Sequence, residues 1–231
     1  MDSYRRVTMR SGRWFQSLPD DVRQAVEQAA TLRQPRAGSR LFSAGDSNSG
    51  MHCLLDGVVH IIGFTKAGTE VLMTILYPGD WTGFLANLDR GKHAFTAICM
   101  TDCTVATLTP RAVESIFEVD VARYKLLLKP ELIISRRNYL YLLEYHGGPP
   151  LQRLAYRLLD LARGPYGVPN QPVTTTVHVS QEQLGTASQL SRQKVNTLLN
   201  KLAELGLVHV SRNLITILDA DGLDQISRGG T

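Results

Sequence analysis

The side chains best equipped for selective chemistry lie between Ser180 and Leu202, in the run SQEQLGTASQLSRQKVNTLLNKL. At helical spacing Gln193, Asn196, Thr197 and Asn200 share one face, with Arg192 at its N-terminal edge. That face has the groups of a base reader. Arginine forks onto O6 and N7 of guanine, Gln and Asn amides pair with N6 and N7 of adenine, and Thr offers a hydroxyl or a methyl. Lys194 and Lys201 flank it as point charges for phosphates, and no acidic residue lies between Glu182 and Glu204. Ser180, Gln181, Ser191 and Arg212 complete the expected contacts to double-stranded DNA. Catalysis finds no comparable set of residues. Nucleophile-elbow, phosphate-loop and zinc-protease patterns are missing and the acids are scattered, so neither an enzyme, a cofactor nor a metal site is expected.

Two short helices must hold these residues. Ser180 followed by Gln183 has capping-box spacing, and Leu184 and Ala187 give the first helix a narrow apolar stripe. The pattern breaks near Gln189 and Leu190. Ser191 then caps a second helix whose Val195, Leu198, Leu199 and Leu202 recur at i, i+3, i+4 and i+7. This periodicity alone fits an ordinary bundle helix equally well. What decides is the sequel: Gly206 ends the helix, Leu207 to Val210 and Leu214 to Leu218 alternate as strands, and Ser211-Arg212-Asn213 forms their turn. Helix, turn, helix and ribbon make a winged helix-turn-helix.

Upstream the texture changes twice. Leu18-Pro19-Asp20-Asp21 opens a helix carrying Val22, Val26 and Ala29. From about residue 33 to residue 108, short β-rich runs (51–55, 58–64, 71–77, 96–100 and 104–108) alternate with turns such as Asp56-Gly57 and Pro78-Gly79-Asp80. Asp56-Gly57 predicts a β-hairpin, and the whole region a β-roll or jelly roll. Residues 122–146 read as one long helix, kinked or started by Pro130. Of its stripes Leu126, Ile133, Leu140 and Leu132, Tyr139, His146, one is expected to dock on the β-roll and the other on a second copy as a parallel coiled coil, hence a homodimer. Gly147-Gly148-Pro149-Pro150 marks a boundary and hinge. Leu151, Leu154, Leu158 and Leu161 form a further helix, followed by a polar loop from Gly164 to Pro172. The expected fold is α+β: a β-roll sensor domain (1–120), a dimerisation helix with hinge (121–148) and a winged helix-turn-helix domain (149–231). The opening dozen residues and Gly229-Gly230-Thr231 read as frayed ends.

Composition sets bounds on these readings. The chain has 231 residues, 43% of them apolar and 20% charged, with a net charge of +4. So small an excess cannot coat nucleic acid, and any DNA contact must come from a local patch such as Arg192, Lys194, Lys201 and Arg212. No apolar run approaches the ~20 residues of a membrane span, which points to a cytoplasmic protein without membrane contact. Cys53, Cys99 and Cys103 are expected to be buried, inert thiols. Four extended residues would separate Cys99 from Cys103 by ~13 Å, though a turn at Thr101-Asp102 brings them closer. His52, His60, His93 and Cys53 share no spacing that demands iron.

The β-roll with Gly-Asp turns, the long helix and the segment LSRQKVNTLLNKLAELGLV together resemble the CRP/FNR family of bacterial transcription regulators, over about residues 20 to 219. The resemblance also rests on Tyr77-Pro78-Gly79-Asp80 and Gln152-Arg153-Leu154-Ala155. It implies a homodimer on a palindromic site, commonly an activator, with RNA polymerase as partner and an effector in the β-roll. Arg192 matches the family's guanine-binding arginine. Gln193 and Thr197 replace residues that its cyclic-AMP-binding members use for other bases, and Gln189 stands in place of a turn glycine. The implied effector pocket comprises Phe84, Leu85, His93, Ala94, Phe95, Asn138 and Tyr139. The family's cyclic-nucleotide cassette has Gly-Glu for ribose and Arg-Ser for the cyclic phosphate, where this chain has Gly83-Phe84-Leu85 and His93-Ala94-Phe95. A phosphate without that arginine loses its bidentate charged partner. Phe84, Phe95 and Tyr139 have the bulk to fill the pocket, and the cysteine cluster of the iron-sulfur members is absent. The implied effector is therefore unknown and not cyclic AMP, or there is none. A small-molecule or redox/haem sensor whose C-terminal domain binds protein instead of DNA is the competing reading.

Overall fold

Leu18 and Pro19 lead into a helix as the sequence predicts, but structure begins earlier. In the computed structural model, which describes residues 3–166 and 174–230, helices α1 (Ser3–Ser11), α2 (Arg13–Gln16) and α3 (Asp20–Ala29) open the chain. Within the opening dozen, Ser3–Ser11 are thus helical and not frayed. Met9, Trp14 and Phe15 are buried, and burial of such side chains outweighs terminal fraying at about 1.5–3 kcal/mol each. Met1, Asp2 and Thr231 lie outside the described residues, as does most of the polar loop expected between Gly164 and Pro172.

Eight strands follow: β1 (Thr31–Arg33), β2 (Arg40–Phe42), β3 (Met51–Asp56), β4 (Val59–Phe64), β5 (Glu70–Leu76), β6 (Trp81–Thr82), β7 (Thr96–Cys99) and β8 (Thr104–Leu108). A short helix α4 (Phe84–Leu88) interrupts them. They form two four-stranded sheets, ordered β1-β8-β3-β6 and β2-β7-β4-β5. Leu54 and Val105 of one sheet share a core with Phe42, Val59, Ile61 and Ala97 of the other. The Asp56-Gly57 turn does not close a hairpin, because β3 and β4 belong to different sheets. The pairing with β8 shifts register between Leu54 and Asp56 and stops at Asp56–Thr104, and Gly57 at φ 97° turns the chain across. A Cβ at residue 57 would meet Asp102 O at 2.7 Å, so only glycine fits the crossing.

Outside this core, helix α5 (Pro110–Phe117) is capped by Thr109, whose hydroxyl accepts from Ala112 N–H. Trp14 gathers the rings of Trp81, Phe84 and Phe117. Its Nε1 donates to Leu126 O at 2.8 Å, fixing the start of the long helix α6 (Val121–Leu140). Pro130 lies inside α6, buried, and does not mark its start. The helix continues as a π-helical turn, Tyr141–Tyr145.

By internal contacts the chain divides into one unit of Met1–Gly63 with Ile75–Ser135 and another of Phe64–Thr74 with Arg136–Thr231. In the second, α7 (Pro150–Arg163) begins on Pro150 directly after the Gly-Pro break. It packs with α8 (Gln181–Ser188), α9 (Arg192–Glu204) and α10 (Ala220–Ser227). Strands β10 (Val208–Ser211) and β11 (Leu214–Ile217) form the ribbon. A third strand, β9 (Thr176–Val177), which no alternation announces at two residues, pairs with β11.

Candidate nucleic-acid interface

The two helices of the reader are set by their caps. Ser180 Oγ accepts from Gln183 N–H and Gln183 Oε1 accepts from Ser180 N–H, both at 3.1 Å, completing the box that starts α8. Ser191 Oγ accepts from Lys194 N–H at 3.2 Å to start α9. Between them Gln189 adopts φ 56°, ψ 44°, the left-handed conformation normally given to glycine, so the turn keeps its geometry at a cost of about 1 kcal/mol. Its amide Nε2 lies 3.2 Å from His146 Nδ1. Gly185 permits the close approach of the helices, since a Cβ there would stand 2.8 Å from Leu190 O.

Val195, Leu198, Leu199 and Leu202 are all buried, as their spacing predicts. Arg192, Gln193, Lys194, Asn196, Thr197, Asn200 and Lys201 are exposed on the remainder of α9. The face is partly organised in advance. Asn196 Nδ2 donates to Gln181 Oε1 at 3.2 Å, Asn200 Nδ2 to Asn196 Oδ1 at 3.4 Å, and Thr197 Oγ1 to Gln193 O at 3.1 Å. Among the described residues none of Arg192, Lys194, Lys201 and Arg212 has an ion pair, so their charges are free for an outside anion.

Beside this face a recess of about 320 Å³ lies between the start of α8, the start of α9 and the ribbon turn. Ser180, Gln181, Arg192 and Arg212 line it, with Glu182 as its single carboxylate. Two arginines, one at the start of α9 and one at the ribbon turn, give this recess the chemistry that suits a phosphate. Nine of the ten residues expected to touch DNA, Ser180 to Lys201, fall on α8, α9 and their caps, and the tenth, Arg212, on the turn of the ribbon, all in a single unit.

The expected effector residues are dispersed. Phe84, placed by the sequence as pocket filling, is instead packed edge-on to Trp14 at 4.8 Å and is buried. Leu85, Ala94 and Phe95 are exposed. His93 is buried in a polar cluster: its Nε2 accepts from Ser49 N–H at 3.1 Å and lies 2.8 Å from Ser49 Oγ, and its ring stacks on Phe42 at 3.9 Å. Ser49 Oγ also lies 3.0 Å from His52 Nε2, and His52 Nδ1 is 3.1 Å from Thr107 Oγ1. Burial, then the charges of Arg33 and His93, push His52 down to about 3. Burial lowers His93 too, despite Asp46. Asn138 and Tyr139 belong to the other unit and are exposed on α6. Among the described residues no group of three or more His, Cys, Asp or Glu could hold a metal ion, and no helix is long and apolar enough to cross a membrane.

One constellation escapes the sequence. Asp160 of α7, 5% exposed at its side chain, pairs with Arg137 of α6 at 3.1 Å and with Arg157 one turn earlier. Arg157 also donates to Leu72 O (2.6 Å) and Met73 O (2.8 Å), and Arg137 to Gly164 O (2.8 Å). The Arg157–Asp160 spacing was a visible i,i+3 signal, but nothing local points to residues 72, 73 or 137.

Comparison with known proteins adds a second line of evidence. The family described as "Crp-like helix-turn-helix domain" matches residues 152–226, and "Cyclic nucleotide-binding domain" matches residues 32–120. The chain is 24% identical over 213 residues to the cyclic AMP receptor protein of Thermus thermophilus, covering 91% of this chain and 94% of that one. It is 26% identical over 185 residues to the transcriptional regulator LdrP of the same organism, covering 80% and 91%. Its fold is similar to the structure of FixK2 from Bradyrhizobium japonicum, with a TM-score of 0.70, 18% identity, and coverage of 85% of this chain and 96% of that one.

Proposed function

Because the chain belongs to the CRP/FNR family of transcription regulators, with a helix-turn-helix DNA-binding domain and no enzymatic role, we propose that it reads a palindromic operator as a homodimer. The observation that carries this is the α9 face. Arg192, Gln193, Asn196 and Thr197 stand exposed over a stripe of four buried residues, with unpaired cations on either side and an arginine-lined recess beside them. The division of labour follows the sequence: residues 1–120 as sensor, 121–148 as dimerisation helix and hinge, 149–231 as reader. Activation through RNA polymerase is the mode we assign, as the resemblance to the family implies.

For the effector, the surroundings of His93 argue against a cyclic nucleotide. A ring nitrogen that accepts from Ser49 N–H does not donate to a phosphate, and Phe84 offers no acceptor to a ribose. Calorimetry with cyclic AMP and cyclic GMP is expected to give no heat of binding at micromolar concentrations. Saturable binding to either would overturn this part of the reading.

Selection of duplexes from a random pool by the purified protein, with and without cell extract, tests the whole proposal. Enrichment of a two-fold symmetric site supports it. Recovery of no preferred sequence under either condition would favour a sensor whose C-terminal domain binds protein.

A further inference from the structure

Gly147-Gly148-Pro149-Pro150 has the composition of a free hinge, yet within the second unit side chains join across it. Before it stand the last turn of α6, the π-helical turn and His146, and after it α7 and the turn between α8 and α9. Tyr145 stacks on Tyr156 of α7 with ring centroids 3.9 Å apart, and Tyr141 stacks on the same ring at 5.6 Å. Arg137 reaches Asp160 at 3.1 Å and Gly164 O at 2.8 Å, while Arg153 donates to His146 O at 3.2 Å. These contacts run from the first turn of α7 to the residue that ends it, so residues 147–150 form a strapped connection and not a swivel.

One strap goes on to the reader itself. Gln189 Nε2, an amide nitrogen that can only donate, gives a hydrogen to His146 Nδ1 at 3.2 Å. Gln189 is also where the chain changes direction between the two reader helices. Its N–H donates to Thr186 O at 3.3 Å, and the next N–H, that of Leu190, to Gly185 O at 2.9 Å. Its φ of 56° and ψ of 44° form a conformation that glycine enters without penalty and a residue with a Cβ does not. Leu190 and Ser191 alone separate it from Arg192, the first residue of α9, so the setting of residue 189 decides the direction in which α9 leaves the turn. A glutamine here accepts backbone strain and in exchange supplies an anchor outside the helix-turn-helix.

We propose that His146 is a positioning residue for DNA reading: through Gln189 it fixes the turn from which α9 starts, so that the end of the long helix and the reader helix move as one piece. His146 is itself held from two sides. Its N–H donates to Tyr141 O at 3.0 Å, and its carbonyl takes the hydrogen bond from Arg153 of α7. A displacement of the π-helical turn therefore reaches Gln189 without passing through residues 147–150. The role in DNA reading rests on the operator reading proposed above, whereas the anchoring of the turn does not.

The test compares full-length wild type, His146→Ala, Gln189→Gly and the double variant. Both side chains are exposed, so the substitutions leave the core intact. Gln189→Gly removes the amide and enters the left-handed conformation without strain. Amide hydrogen exchange of the free proteins, read by mass spectrometry, should run roughly two- to tenfold faster across residues 185–195 in His146→Ala, the range for losing one such hydrogen bond. Exchange in α10 should not change. In the Gln189→Gly background His146→Ala should add nothing, because its route to the turn is gone. On the duplex selected from the random pool, His146→Ala should weaken binding by roughly the same two- to tenfold. Binding to a random duplex should stay as it was, a split that a general loss of stability does not produce. Equal exchange in wild type and His146→Ala, or equal acceleration in both backgrounds, would overturn the anchoring. Faster exchange with an undiminished preference for the selected duplex would overturn the role in DNA reading. If no duplex is enriched, the operator reading fails, and with it the role in DNA reading, while the exchange cycle still decides the anchor.

Discussion

Arg192 and Lys194 sit two residues apart on the first turn of α9, but their loss should register differently. An arginine fork on guanine is worth about 1–3 kcal/mol of discrimination, so Arg192→Ala should lose that much on the selected operator and relax preference at one base pair. Lys194→Ala should weaken selected and random duplexes alike, and lower the salt slope of log K by roughly one. Fluorescence anisotropy on both duplexes at several salt concentrations separates the two. If both variants lose the same factor on both duplexes, the assignment of Arg192 as a base reader is wrong. A second residue-scale consequence lies in the β-roll. His52 is neutral in the fold, its pKa lowered to about 3 by burial, Arg33 and His93. In the unfolded chain it titrates near 6.5. Between those values the unfolded state binds the extra proton, so the stability His52 contributes is present above about pH 6.5 and is lost as pH falls. Acidification from pH 7 to pH 5 should cost about 2 kcal/mol from this group alone. Urea melts of wild type and His52→Gln at the two pH values measure it, and an unchanged pH dependence in the variant would rule out His52 as its source.

At the scale of elements, the Arg137–Asp160–Arg157 cluster joins α6, α7 and the main chain of Leu72 and Met73. Removing one member of a buried ion pair leaves uncompensated charge, at a typical cost of 3–5 kcal/mol. Asp160→Asn should therefore destabilise the second unit by about that amount, and should also speed amide exchange over residues 64–74, because Arg157 loses the partner that aims it at those carbonyls. A drop in melting temperature without faster exchange there would mean that the cluster stabilises α7 but does not hold the 64–74 segment. This cluster also marks where the sequence stops being legible. The buried stripe of α9 and both helix caps can be read because their signals repeat within a turn or two of helix. The contacts of residues 72, 73, 137 and 157 carry no period, since they arise only when distant elements meet. Asp56-Gly57 shows the same limit in another form. Its turn chemistry was right and its pairing was not, because a tight turn looks the same whether the next strand joins the same sheet or crosses to the other. Phe84 differs again: its position in the chain pointed to a ligand cleft, and the energy of packing against Trp14 took it into the core.

For the molecule as a whole, a net charge of +4 is too small to hold DNA by attraction alone, so on the proposed reading affinity comes from geometry and from having two readers. The long helix offers the means. Beyond Pro130, α6 and its π-helical turn expose Leu132 (56%), Tyr139 (65%), Leu140, Leu142 and Leu143 (83%), an apolar series that a single chain leaves in water. Covering a leucine is worth about 1.5–3 kcal/mol, and in a two-fold pair each position counts twice, so Leu132 and Leu143 together represent several kcal/mol of association. Replacing both by Asp puts four carboxylates into such an interface. Leu132→Asp/Leu143→Asp is thus expected to sediment as a monomer at concentrations where the wild type, on the proposed reading, sediments as a dimer. Its DNA binding should change in a particular way: with α9 intact, a single half-site is still bound, while the advantage of two correctly spaced half-sites over one disappears. Sedimentation equilibrium and titrations on one- and two-half-site duplexes give both quantities for the same preparation. A wild type that remains monomeric and still favours the two-half-site duplex would show that the exposed series on the long helix is not what brings two readers together.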